Sequence, residues 1–458
     1  MIFLTPGVIT RYCQMRPLWR CCYSNAKIKT HKSGSPSFAS LVTSMGDLEG
    51  LYLSVCDDLH LSASVFISQV LKETQIRGSG VSLRLAGNDR VKDVIRLTDN
   101  DLLVLSKTLR SDLTVKALDL RYNWISDEGA GHLADLIQEN VALQSLDLLC
   151  NNIEAEGAER IAKSLHQNAT LKRLRMTGNK IGNKGAMHFA SMMQTNTTLE
   201  ELDVSDCDLA TQSLIAFAIV LNSNRSIRSI NVSRPLLFSL QEETAVHMAR
   251  MLAVNQTLRE LHMGKHGMTD SGVERLCEGL MINRTLRYLD LRCNRITRDG
   301  AKRLSEVLRR NSTLEILDLS SNRIEDDGAV YLSEAVALPH CKLRALSVPN
   351  NSIGTTGLVS LTKAMNTNPN LTHIYIWGNR LEEPVCVAFS QLIASGRLLK
   401  DHTDVSPYEV DGRFYLAEMS HGLQRHYYWV PSYGQDGDPA SNAALALNTS
   451  HCLDLQPC

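Results

Sequence analysis

LRYLDLRCNRITRDGAKRLSEVLRRNSTL, residues Leu286–Leu314, carries two periodicities in succession. Leu289 and Leu291 stand at alternate positions, the spacing of a strand with one buried face. Beyond Asn294 and Ile296 the apolar positions shift to Ala301, Leu304 and Leu308, the 3.6-residue spacing of a helix. The stretch reads as strand, turn and helix, and its last residue, Leu314, opens another copy of the same pattern.

The copies extend in both directions. Their opening residues are Val115, Leu143, Leu171, Leu199, Ile227, Leu258, Leu286, Leu314, Leu343 and Leu371, spaced by 28 residues apart from 31 before Leu258 and 29 before Leu343. A weaker unit precedes them, with Val81, Leu83, Leu85 and Asn88 in the strand positions. Such a period, written L-x-x-L-x-L-x-x-N-x-I, defines a leucine-rich repeat array. The predicted fold class is α/β: a solenoid of about 10–11 repeats spanning residues 80–400, each unit burying its apolar side against its neighbours.

Composition narrows the function classes. The chain has 458 residues, 43% hydrophobic content and a formal charge of -1, the profile of a globular protein with a large core. Near-neutrality argues against gripping a nucleic-acid backbone as the main task. No run approaches 18 consecutive apolar residues, so no membrane span is expected. The 12 cysteines are scattered, without a C-x-x-C pair, which fits a reducing cytosol or nucleus better than a secreted disulfide scaffold. Cys207 occupies a ladder position and reads as a core thiol.

The ends differ from the array. Residues 1–45 hold Arg11, Arg16, Arg20, Lys27, Lys29 and Lys32 with no acid before Asp47. They read as a disordered basic extension, with organelle targeting or a basic contact segment as alternatives. Residues 46–79 present an apolar helical face (Leu59, Leu61, Val65, Phe66, Val70, Leu71) suited to capping the first repeat. After Lys400, VDGRFYLAEM and RHYYWV predict a strand pair or aromatic cap over residues 401–431, with Tyr427, Tyr428 and Trp429 closing the solenoid; residues 432–458 read as a disordered tail.

Three recurring residues have mechanical explanations. Asn123, Asn151, Asn179, Asn294, Asn322, Asn351 and Asn379 fall just past each strand, where an amide can bond the backbone of adjacent turns and build an asparagine ladder. Gly129, Gly157, Gly185, Gly272, Gly300, Gly328 and Gly357 share one position at the helix start, where a missing side chain permits close approach. Asn168, Asn196, Asn224, Asn255, Asn283 and Asn311 open N-x-S/T sequons, yet each sits where a helix ends. They read as left-handed caps and not as glycosylation sites.

The 28-residue unit with its helix, as in LDLRYNWISDEGAGHLADLIQENVAL, resembles the ribonuclease-inhibitor class of leucine-rich repeats, which includes Ran GTPase-activating proteins and the sensor regions of NOD-like receptors. The resemblance implies a right-handed horseshoe, parallel strands on the concave face and helices on the convex face, serving protein recognition. It does not choose a partner.

Strand alternation then predicts the concave surface. An acidic stripe runs through Asp119, Asp147, Asp203, Asp290 and Asp318, flanked by Arg121, Arg175 and Arg292. Tyr288, Tyr375 and Trp377 are the exposed aromatics expected to anchor a partner. The candidate partner-binding set is therefore Arg121, Arg175, Tyr288, Asp290, Arg292, Asp318, Tyr375 and Trp377. The unit Ile227–Leu258 is irregular, with Pro235 at its ladder position, His266 in the next unit and Cys207 in the preceding one; a change of curvature or a protruding loop is expected there.

No phosphate-binding loop, dinucleotide turn, H-E-x-x-H or zinc-spaced cluster occurs, so no catalytic, cofactor or metal residues are assigned. The expected function is a non-catalytic, monomeric scaffold or regulator binding a protein on its concave face, in the cytoplasm or nucleus. Two alternatives are a GTPase-activating regulator of the Ran type and a nucleolar or ribosome-associated factor using the basic N-terminus.

Overall fold

The computed structural model describes residues 47–75, 80–88, 95–237 and 242–419. Eleven parallel strands form one sheet in strict chain order, from Val81–Arg84 to His373–Tyr375. A helix follows each strand, from Asp99–Leu109 to Glu383–Ala394, and consecutive helices pack together. This is the α/β solenoid that the two periodicities dictate. A helix is about 10 Å across while strands sit about 4.8 Å apart, so the helical layer takes the outer, convex side.

The interior is leucine in register. Leu118, Leu146, Leu174, Leu202, Ile230, Leu261, Leu289, Leu317, Leu346 and Ile374 are Cα partners across successive strands, and all are buried. Helix residues such as Ala301, Leu304 and Leu308 close the core from the other side.

The asparagine ladder forms as the turn position requires. Asn179 donates from Nδ2 to Leu148 O at 2.8 Å and Met176 O at 2.7 Å, and its Oδ1 accepts from Ile153 N at 3.1 Å. Cys207 takes over part of this role: its thiol donates to Met176 O at 3.1 Å. His266 does the same through Nε2, which donates to Val232 O at 3.0 Å. Pro235 has no side-chain donor to offer, yet the strands on either side pair without a break in register. Part of the irregular unit, residues 238–241, lies outside the described residues.

The asparagines at the helix ends, the sequon residues and Asn140 at the equivalent position, correct one expectation. Asn140, Asn255 and Asn283 cap their helices with φ of -78°, -73° and -61°, extended and not left-handed. Their amides explain this geometry: Asn283 Nδ2 donates to Leu252 O of the preceding unit at 2.9 Å, and its Oδ1 accepts from Thr285 N and Leu286 N. A second asparagine ladder thus runs along the helix ends. The amide nitrogens of Asn196, Asn224, Asn255, Asn283 and Asn311 are committed to backbone carbonyls.

Helix starts are capped from the neighbouring repeat. Asp270, at the first turn of its own helix, accepts from Thr297 N at 2.8 Å, Thr297 Oγ1 at 2.6 Å and Gly300 N at 3.0 Å. The carboxylate fills the space that the glycine leaves open: a Cβ on Gly300 would meet Asp270 Oδ1 at 2.5 Å. Asp99 and Asp326 make the equivalent bonds to Gly129 N and Gly357 N. Replacing Asp270 with Ala orphans donors at a helix N-terminus, and we expect a loss of about 1–3 kcal/mol in urea unfolding. The exposed Asp299→Ala, one helix on, should stay within about 0.5 kcal/mol; equal losses would refute capping between repeats.

Both ends of the array are covered. Helices Leu48–Asp58 and Val65–Gln75 precede the first strand, with Tyr52, Cys56, Phe66, Val70 and Leu71 buried in the common core. At the other end Asp404 accepts from Ile376 N at 2.8 Å and Trp377 N at 3.0 Å, satisfying donors that a further repeat would otherwise take. An antiparallel hairpin follows, Val405–Val410 with Arg413–Glu418, turning at Asp411 and Gly412. The sequence pattern instead placed its second strand at RHYYWV. Tyr427, Tyr428 and Trp429 lie outside the described residues.

Candidate functional site

The strand residues that point away from the leucine core form two rows. The second holds the acidic stripe, and each carboxylate is tied to the backbone two residues on. Asp147 accepts from Leu149 N at 3.0 Å, Asp203 from Ser205 N at 3.0 Å, Asp290 from Arg292 N at 3.0 Å and Asp318 from Ser320 N at 2.9 Å. The arginines bridge along the stripe: Arg175 lies 3.3 Å from Asp147 and 3.6 Å from Asp203, and Arg121 also pairs with Asp119 and Asp147. Burial opposes ionisation of Asp290, but Arg292 and the ring of His262 outweigh it and hold the carboxyl below its usual range. From Asp119 to Asp290 the stripe is a neutralised lattice and not an open acidic surface; Asp318 is buried, with its Oδ1 held by Ser320.

The aromatic expectation is likewise corrected. Tyr288 is fully buried and Tyr375 is 5% exposed; with Ile316 and Ala345 they form a small second core on the strand face. Adjacent strands bring these side chains to about 4.8 Å spacing, and large residues pack over the small Ala345. The ring of His262 meets Tyr288 edge-on, centroids 4.6 Å apart. Asp290, Arg292 and Asp318 are buried as well. Trp377 is half-buried, packed against the main core, and His402 stacks on His373 at 3.6 Å. Of the expected contact residues, Arg121, Arg175 and Trp377 retain partial exposure.

A buried charged centre occupies the middle of the face. His262 lies 3.5 Å from Glu260 and 3.4 Å from Asp290. Burial alone lowers the imidazole pKa, but hydrogen bonds and charge from Asp290 and Glu260 prevail and raise it to about 9. Beside it, at the strand ends of the irregular unit, a cavity of about 230 Å³ is lined by Asp206, Asn231, Arg234, Lys265 and Arg292.

A long recess lies along the edge where the strands begin. It is a groove of about 910 Å³ reaching from Lys172 to Asn370. Its floor is the residue just before each strand, and the backbone ladder continues through it: Arg228 N to Glu200 O, Arg259 N to Arg228 O, Arg287 N to Arg259 O and Glu315 N to Arg287 O, each 2.7 Å. Glu200 lies 3.6 Å from Lys172 and 3.5 Å from Arg228, and Glu315 lies 3.6 Å from Arg287 and 3.5 Å from Arg344. Arg225 and Arg284 stand on the rim, bonded to carbonyls at the preceding helix ends. Sequence reasoning missed this site although its signal was present. Arginine follows the opening apolar residue in four units, at Arg228, Arg259, Arg287 and Arg344, a period hidden by attention to the strand itself.

Among the described residues no cluster of His, Cys, Asp or Glu is arranged to hold a metal, and no helix is long and apolar enough to cross a membrane.

Comparison with known proteins agrees with this architecture. The family model described as Leucine Rich repeat matches residues 112–134, 139–162, 167–190, 195–218, 254–277, 283–305 and 310–333; the matched stretches step over the unit containing Pro235. Leucine-rich repeat-containing protein 34 of Homo sapiens is 58% identical over 405 residues, covering 87% of this chain and 87% of that protein. The protein of the same name from Mus musculus is 50% identical over 408 residues, covering 88% of this chain and 98% of its own length. That of Rattus norvegicus is 59% identical over 367 residues, covering 80% and 88%. With identity at this level over most of both chains, and with the repeat array as its fold, the chain belongs to the leucine-rich repeat-containing protein 34 family.

Proposed function

We propose that this chain is a non-catalytic interaction scaffold that binds a protein partner on its strand side. The observation that carries the reading is the register of the sheet, unbroken from Val115–Asp119 to His373–Tyr375, which turns single side chains into rows spanning many strands. A surface built this way recognises an extended partner by summing small contacts over its length. The side chains on that side with surface left for contact include Arg173 and Trp377 on the face and the basic row along its edge.

Affinity capture with crosslinking mass spectrometry tests the reading. Partner crosslinks are expected at Lys172 and Lys342, which line the groove. Crosslinks confined to Lys107, Lys163 and Lys302, exposed on the helical layer, would move the binding face to the other side of the molecule.

A further inference from the structure

We infer that the groove at the strand-start edge receives an acidic peptide segment, rich in Asp and Glu, from a protein partner. This rests on the scaffold reading and gives it a partner chemistry.

Charge is the first argument. Eight Lys or Arg side chains line the groove against two carboxylates, Glu200 and Glu315, although the whole chain has a formal charge of -1. The surplus is a local arrangement and not a general basicity. Arg225, Arg228 and Arg284 are exposed, so their heads are available to a ligand. At the centre, Arg259 stands between Arg228 and Arg287. Burial, then these two like charges, lower its pKa from the ordinary arginine value, so an incoming anion relieves repulsion already present.

Geometry is the second argument. Arg228, Arg259 and Arg287 sit on three successive strands, about 4.8 Å apart along the groove. An extended peptide returns to the same face about every 6.7 Å, so three or four carboxylates span the stretch between Glu200 and Glu315. Six of the eight cations are arginines, whose planar forks bind carboxylates through paired N–H donors. Glu200 and Glu315 flank the central arginines and repel acidic residues beyond them, which sets the position of the bound segment. Hydroxyls of Thr257, Thr285 and Thr313 line the same groove and supply further hydrogen-bonding groups.

The lining also discriminates between polyanions. It contains no aromatic side chain, and single-stranded nucleic acid draws much of its affinity from bases stacked on aromatic rings. The groove therefore suits a peptide better than RNA.

Fluorescence anisotropy with the full chain tests this. The probes are a labelled 20-residue peptide of alternating Asp and Glu, its Asn/Gln counterpart, and a single-stranded RNA 20-mer. The acidic peptide is expected to bind, to weaken as salt rises, and to lose about tenfold or more in affinity in the triple variant Arg225→Glu, Arg228→Glu, Arg284→Glu. The Asn/Gln peptide should not bind, and Lys107→Glu on the helical layer should change nothing. Thermal unfolding of the triple variant must match the parent; if it does not, the milder Arg228→Gln serves, with a smaller loss expected.

Tighter binding of the RNA at equal salt would overturn the proposal. So would acidic-peptide binding that appears only after removal of residues 432–458, which carry Asp436, Asp438 and Asp454 without Lys or Arg; the occupant would then be this chain's own tail. Partner capture that survives the triple variant unchanged would sink the groove assignment and leave the scaffold reading standing. Loss of all strand-side crosslinks would sink the scaffold reading instead.

Discussion

Replacing Asn179 with Leu should lower the unfolding free energy by about 1–3 kcal/mol, because Ile153 N loses its buried acceptor and two buried carbonyls each lose one of their donors. Leu148 O, Met176 O and Ile153 N all bond this amide, and a residue that is 1% exposed admits no ready replacement from water. Leucine keeps the same branched heavy-atom skeleton but has no polar atom, so the substitution opens no cavity and removes the hydrogen bonds. The chain holds its own control at Cys207, where a thiol makes the equivalent bond to Met176 O. Asn179→Cys should therefore lose distinctly less than Asn179→Leu. Urea unfolding followed by circular dichroism reads both; the leucine variant should also broaden the transition as coupling between neighbouring repeats weakens. A loss below about 1 kcal/mol would show that the ladder is dispensable.

Between pH 7 and 9 the protein should lose about 2 kcal/mol of stability through His262. Its folded pKa of about 9 lies above the usual 6.5, so the folded state holds the proton more tightly than the unfolded chain does. The contribution is complete below pH 6.5 and disappears as pH rises through 9. His266 and His373 work in the opposite sense. Burial lowers the first to about 4; burial and then the nearby His402 lower the second to about 3. Their contributions are present above pH 6.5 and are lost on acidification. Glu201, raised by burial to about 7, contributes below its ordinary value and loses that contribution as pH rises through 7. Between 7 and 9 the thiols of Cys150, Cys207 and Cys277, held above the ordinary thiol value by burial, lose stability in the same sense, so the His262 share is the difference in slope between the parent and a His262 variant. His262→Gln should flatten that limb and converge with the parent near pH 9; an unchanged slope would refute the assignment. The opposing neighbours are Glu260 and Asp290, with the Tyr288 ring packed edge-on.

Both predictions depend on features of unequal legibility. Asn179 was readable because the ladder recurs at one position and its bonds reach only the adjacent turn. Alternation puts Glu260 and His262 on the same strand face, but nothing in that repeat announces Asp290, one strand on, as a partner. The turn before the ladder is a similar case. Tyr122, Cys150, Gly178, Asp206, Arg234, Lys265, Cys293, Ser321, Asn350 and Gly378 all adopt positive φ there, and only two are glycine. The turn out of the strand takes a left-handed conformation whatever residue occupies the position, Arg234 before Pro235 included, so side-chain identity gave no warning.

The sequence by itself determined the repeat unit, its number, the alternation of strand and helix, the asparagine ladder and the close-packed glycines. These follow from spacing, because in a solenoid each unit meets only its neighbours and the same local problem is solved again in every copy. Only the tertiary structure decided which strand residues remain open. Pairing the strands laterally buried Tyr288 and Tyr375, locked the aspartate stripe to backbone N–H groups and arginines, and moved the accessible charge to the strand-start edge. Lateral pairing joins residues about 28 positions apart into rows, and exposure is a property of the row, which no single repeat contains.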